Sequence, residues 1–124
     1  MQLAQGWTVN VDRGPDWLFV DLNCDEEAAA EPTGLAENLW ELLQCHLGHR
    51  MVVELHSVPE VSDQLLEQLV MLSKRIDGAR GMLRLCGVSA SGEESIRAAR
   101  LDQMFPCYAD RTAAVMGNRP RQPR

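Results

Sequence analysis

The chain has 124 residues, with 12 Lys and Arg against 18 Asp and Glu and so a formal net charge of −6. That length fits one domain, and 45% apolar with 24% charged residues is ordinary for a globular chain, which excludes collagen, coiled coil and wholesale disorder. No purely apolar run exceeds four residues, too short to span a bilayer.

The segment Met1 to Asp12 has neither the basic nor the apolar region of a secretion signal, so a cytoplasmic location is expected. The last six residues, Arg119 to Arg124, carry three arginines and no acid, which leaves the remainder at 9 − 18 = −9. An acidic body repels phosphate backbones, so nucleic acid is not an expected partner. Residues 118–124 hold two prolines and no apolar periodicity, and are expected to form a disordered basic tail after a single domain over 1–117. Cys24, Cys45, Cys86 and Cys107 include no Cys-x-x-Cys pair and are expected to be reduced and partly buried.

In chain order, Trp7 to Asp12 alternates apolar and polar residues, Arg13-Gly14-Pro15-Asp16 supplies turn chemistry, and Trp17 to Leu22 is again β-rich, which predicts an antiparallel hairpin. Asn23 to Thr33 reads as an acidic loop. Leu35, Leu39, Leu42, Leu43 and Leu47 then recur at helical spacing, with Thr33 as the expected N-cap and Gly48 as the stop. Met51 to Leu55 is the nearly continuous apolar run of a strand covered on both faces. After the loop His56 to Val61, Leu65, Leu69, Leu72 and Ile76 mark a second helix, capped by Ser62 or Asp63 and ended by Gly78. Met82 to Cys86 predicts a strand. Ser91-Gly92-Glu93-Glu94 has the form of a capping box and opens a helix to about Arg100. Cys107-Tyr108 is a brief extended piece, and Asp110 caps a last helix, Arg111 to Met116, ended by Gly117. The order β-β-α-β-α-β-α-β-α predicts one α/β domain with a mixed sheet of about four to five strands and about four helices.

Enzymatic motifs are missing: there is no phosphate-binding Gly-x-x-x-x-Gly-Lys, no Gly-x-Gly-x-x-Gly after a strand and no Gly-x-Ser-x-Gly elbow. Cys45, His46 and His49 on the first helix admit a thiol–imidazole pair or a metal cluster, but three donors with no sequence-near fourth fit surface packing better. The acids Asp21, Asp25, Glu26, Glu27 and Glu31 lack the spacing of a calcium loop and read as a solvated segment. Ser62 lies at a helix N-terminus, where unsatisfied N–H groups favour an anion or a phosphorylated side chain; the plainer reading is a helix cap.

Val52 to Ala114 resembles the STAS domain of bacterial anti-sigma factor antagonists. The resemblance is carried by Val52-Val53-Glu54-Leu55, by Val58 to Leu66, by Gly81 to Ser89, and by Leu101 to Asp110 with Ala113-Ala114. Family members show a strand ending in Asp-Leu, a turn into an Asp-Ser-Ser-Gly helix start, a strand leading into a Gly-x-Ser/Pro loop, and a Gly-Leu-x-x-x-Phe segment before the last strand and helix. The resemblance implies a STAS-like fold and a non-enzymatic switch protein, without cofactor, metal, membrane or catalytic residues. Its implied partner is an anti-sigma factor with serine kinase activity, or other STAS-type signalling proteins. Placing Glu54-Leu55 on the family's Asp-Leu puts Ser62-Asp63-Gln64-Leu65 on Asp-Ser-Ser-Gly, so the phospho-acceptor position is Gln64, which accepts no phosphoryl group. Arg100 stands where the family has glycine before Leu101. The partner-binding or switch face implied is Asn23 to Asp25, Ser57 to Gln64 with Ser62 and Asp63, and Ser89 to Ser91. The alternative is a structural STAS subunit of a larger signalling assembly with no phospho-switch.

Overall fold

The computed structural model describes residues 7–24, 34–46, 48–58 and 60–117. Its elements are β1 (Trp7–Arg13), β2 (Leu18–Cys24), α1 (Leu35–Cys45), β3 (Arg50–Glu54), α2 (Asp63–Gly78), β4 (Met82–Cys86), α3 (Ala90–Ala98), β5 (Cys107–Tyr108) and α4 (Arg111–Met116). The five strands form one sheet in the order β1-β2-β3-β4-β5. The hairpin β1–β2 is antiparallel, with Val9 opposite Leu22 and Arg13 opposite Leu18. Every later pairing is parallel: Val52 faces Phe19 and Arg84, and Cys86 faces Tyr108. A mixed α/β sheet with four helices thus agrees with the sequence pattern.

Strand periodicity divides the side chains between two faces. On one, Val9, Val20, Leu22, Met51, Val53, Leu55 and Leu85 join Leu39 and Leu43 of α1, Leu65, Leu69, Leu72 and Ile76 of α2, and Ile96 of α3 in the main core. On the other, Val52, Cys86 and Tyr108 meet Trp17 and Ala114 in a smaller core under α4. β3 is buried from Met51 to Glu54 because both faces are covered.

Several local expectations are corrected. α1 starts after Gly34, which takes φ 83° and supplies no side-chain cap, whereas Thr33 lies outside the described residues. The orphan N–H of Ala36 donates instead to Gln68 Oε1 of α2 at 2.9 Å, a cap delivered from another helix. α1 ends at Cys45, short of Leu47, which lies outside the described residues; Gly48 N–H closes the end on Leu43 O at 3.1 Å. The capping box is displaced: Ser89, two residues before Ser91, caps α3 by accepting from Gly92 N–H at 3.0 Å. Position 92, inside the helix, has to be glycine because a Cβ there would stand 2.7 Å from Val88 Cγ1 and 2.9 Å from Val61 Cγ2.

Candidate functional site

The parallel register sets Asp21, Glu54 and Cys86 in one row across β2, β3 and β4, so the segments that follow these strands emerge together at one edge. This is the carboxyl edge, where open parallel sheets place their binding loops. It collects Asn23, Ser57, Ser62, Asp63, Gln64 and Ser89; Asp25 lies outside the described residues.

Buried Leu55, Val58 and Val61 anchor the β3–α2 loop, and Val58 N–H bonds Leu55 O at 2.9 Å. The intervening polar residues are thereby turned outward. Ser62 has extended backbone and its Oγ accepts from Leu65 N–H at 3.1 Å, so its hydroxyl is engaged as the cap of α2. Asp63 places an acid in the first turn, where the helix dipole favours it. Gln64 is exposed beside it. Because Gly92 packs on Val61, the amino ends of α2 and α3 are neighbours, and Ser62 and Ser89 cap adjoining helices. Ser89 Oγ also lies 3.3 Å from Ser91 Oγ. Asn23, at the end of β2, donates from Nδ2 to Asp21 O at 3.4 Å.

Two features of this edge escape sequence reasoning. His56 lies between β2 and the loop, its Nε2 3.3 Å from Asp21 Oδ1 and its Nδ1 3.4 Å from Ser57 Oγ. The contact with Asp21 is an ion-pair distance without hydrogen-bond angles, since Asp21 Oδ1 has no hydrogen-bond partner. Nothing in the spacing of Asp21 and His56 marks them as neighbours. The second feature is Glu54, 8% exposed, whose carboxylate is clasped by Arg111 of α4 through Nε–Oε1 at 3.1 Å and Nη2–Oε2 at 2.6 Å. Arg111 also reaches Asp12 Oδ2 at 3.0 Å, and these carboxylate bonds hold its pKa above the usual guanidinium range. An acid inside the apolar run of β3 was the available sign that a cation must come from elsewhere.

The Cys45, His46 and His49 set does not converge on a metal. Cys45 is exposed on α1 while the two histidines line a cleft at the opposite end of the sheet, and among the described residues no three His, Cys, Asp or Glu could hold a metal. Among those residues no helix is long and apolar enough to cross a membrane.

No family model and no curated protein matches the chain. Solved structures do. An anti-sigma factor antagonist from Mycobacterium paratuberculosis aligns over 94% of this chain and 97% of its own, at 16% identity and a TM-score of 0.72. A STAS domain protein from Planctomyces limnophilus aligns over 88% and 96%, at 19% identity and a TM-score of 0.68. A chain from the stressosome, a signal integration and transduction hub, aligns over 87% and 94%, at 13% identity and a TM-score of 0.70. At these identities the likeness is one of fold. The five-stranded mixed sheet, its four helices and the coverage of these relatives agree: this chain folds as a STAS domain.

Proposed function

We propose that this chain is a non-enzymatic, protein-binding regulator of the anti-sigma factor antagonist kind. Its partner face is the carboxyl edge of β2, β3 and β4, with Ser57, Ser62, Asp63, Gln64, Asn23 and Ser89, and Asp25 as a sequence-based member. The partner is an anti-sigma factor or a related serine kinase. One observation carries the reading: a STAS sheet delivers polar loops and two adjoining capped helix starts to one edge. With Gln64 in the acceptor position, control by phosphorylation there is lost. A carboxamide has no hydroxyl to esterify and no charge to imitate a phosphate.

The test uses the serine kinase recovered with the chain. The wild type incubated with that kinase and ATP is expected to carry no phosphate between Ser57 and Gln64 by peptide mass spectrometry, whereas Gln64→Ser gains it. Stoichiometric phosphate on the wild type in that segment, at Ser62 for example, would refute the loss of control. Asp63→Lys is expected to weaken partner binding at least tenfold, and unchanged affinity would remove the assigned face.

A second reading, a structural STAS subunit of a larger signalling assembly, is favoured by Gln64 and by the likeness to the stressosome chain. Recovery of the chain in a stable complex of STAS proteins, with no kinase, selects it.

A further inference from the structure

The opposite end of the sheet, where β3 and β4 begin, has a different chemistry. Each connection there carries or adjoins an arginine: Arg13 ends β1 before the hairpin turn, Arg50 opens β3, Arg80 lies between α2 and β4, and Arg100 between α3 and β5. Asp16 and Asp102 share these connections, which leaves the four arginines in excess of the acids there. Between the first two connections lies a cleft of about 480 Å³ lined by Arg13, Arg50, His46, His49, Trp17 and Asp16 among others.

The two cleft arginines are exposed, and three other arginines are already engaged by the fold. Arg84 bonds the carbonyl oxygens of Ala114 and Val115, Arg111 holds Glu54 and Asp12, and Arg75 pairs with Glu37. Among the described residues no ion pair engages Arg13 or Arg50. Arg50 is nonetheless positioned, its guanidinium lying over the Trp17 ring at 5.8 Å from the centroid. Asp16 is the one carboxylate lining the cleft, against two guanidinium and two imidazole groups. The volume falls in the range of small-molecule sites, too large for a single phosphate.

We propose that this cleft binds a small polyphosphate anion, with Arg13 and Arg50 as its principal ligands and His46 and His49 as further donors. Guanidinium groups recognise phosphate oxygens through paired N–H bonds, and the two guanidinium groups lining the cleft raise the local anion concentration. The site lies at the opposite end from the proposed partner face and does not depend on that assignment. It also gives the two histidines singled out in the sequence a shared role that excludes Cys45.

Isothermal titration of the full chain with inorganic pyrophosphate at about 0.1 M salt tests the site, with sulfate as the ionic control. Saturable 1:1 binding is expected, at least tenfold tighter than sulfate and weakened at least tenfold by Arg13→Gln/Arg50→Gln. Lys74→Gln/Arg97→Gln removes the same charge outside the cleft lining and is expected to change affinity less than threefold. Equal losses in the two double variants, equal binding of sulfate, or no saturation would overturn the proposal. Because Arg50 packs on Trp17, backbone amide shifts of the wild type give a second measurement. They are expected to concentrate at Gly14, Gly48 and His49, and shifts spread evenly over the surface, or located at Ser57 to Gln64, would equally overturn it.

Discussion

Arg80 and Arg100 occupy left-handed backbone, at φ 62° and φ 60°, where a side chain is disfavoured. Each ends a helix by the same device: Gly81 N–H returns to Ile76 O at 2.8 Å, and Leu101 N–H to Ile96 O at 2.9 Å. Arg100 is the position where the STAS pattern carries glycine, so that departure is one of backbone strain. Arg100→Gly is expected to raise stability by about 1 kcal/mol in urea denaturation, and a loss of stability would contradict the strain account. Two thiols make an independent prediction. Burial pushes Cys86 up to about 12 and Cys107 up to about 11, with nearby Glu54 and Glu93 respectively adding to the effect. Both thiols thus stay protonated in the fold above the pH where unfolded thiols ionise, so the unfolded chain binds fewer protons there. Stability is present below the ordinary thiol pKa and is lost as pH rises from about 9 towards 11. The urea midpoint is expected to fall more steeply over that interval in the wild type than in Cys86→Ala/Cys107→Ala. In native protein at pH 8, exposed Cys45 is expected to react with a thiol reagent long before these two.

α2 was the most legible element, because its leucine spacing, its Ser62 cap and its position after an apolar strand all agree. Its structure begins at Asp63 and ends at Gly78, with Ser62 Oγ holding Leu65 N–H. Ser62→Ala is expected to lower stability by about 1 kcal/mol through loss of that bond, whereas exposed Gln64→Ala is expected to change it by less than about 0.5 kcal/mol. Equal effects in urea denaturation would contradict the assignment of the cap. Helix ends that depend on distant packing were illegible. Nothing near Ala36 in sequence announces Gln68 as its acceptor, and the capping-box pattern points to Ser91 whereas Ser89 Oγ is what accepts from Gly92 N–H. The α2 stop was misread in kind: Gly78 remains helical, and Gly81 is needed after the left-handed Arg80 because a Cβ there would lie 1.9 Å from His49 O. In the candidate site, the same limit hid His56 beside Asp21 and Arg111 beside Glu54, since both pairings are made by topology.

The whole molecule is unequal about its sheet. α1, α2 and α3 bury one face in a continuous aliphatic core, while α4, six residues long, seals a smaller cluster on the other. The order of strands and helices was readable because each apolar run is short and separated by turn chemistry, but periodicity carries no information about this inequality. It follows from which strand faces turn polar: Asn10 and Asp12 lie on the α4 side, opposite Asp21 and Phe19. The thin side is held largely by directed polar contacts, namely Arg111 on Glu54 and Arg84 on the last carbonyls of α4, with Arg84 set against Trp17 at 5.2 Å and Tyr108 at 5.7 Å. Such a layer opens with less exposure of apolar surface than the main core, so it is expected to form a separate low-energy opening unit. Native-state hydrogen exchange is expected to show the slowest amides at Val20, Val52, Val53 and Leu85 and in the middle of α2. Amides of α4 are expected to exchange at least a hundredfold faster than these. Arg111→Leu, which leaves Glu54 without its cation, is expected to speed exchange throughout α4 and to lower global stability by about 2 kcal/mol. Equal protection of α4 and β3 would mean that the two sides unfold as one unit and that the polar clasp contributes nothing separable.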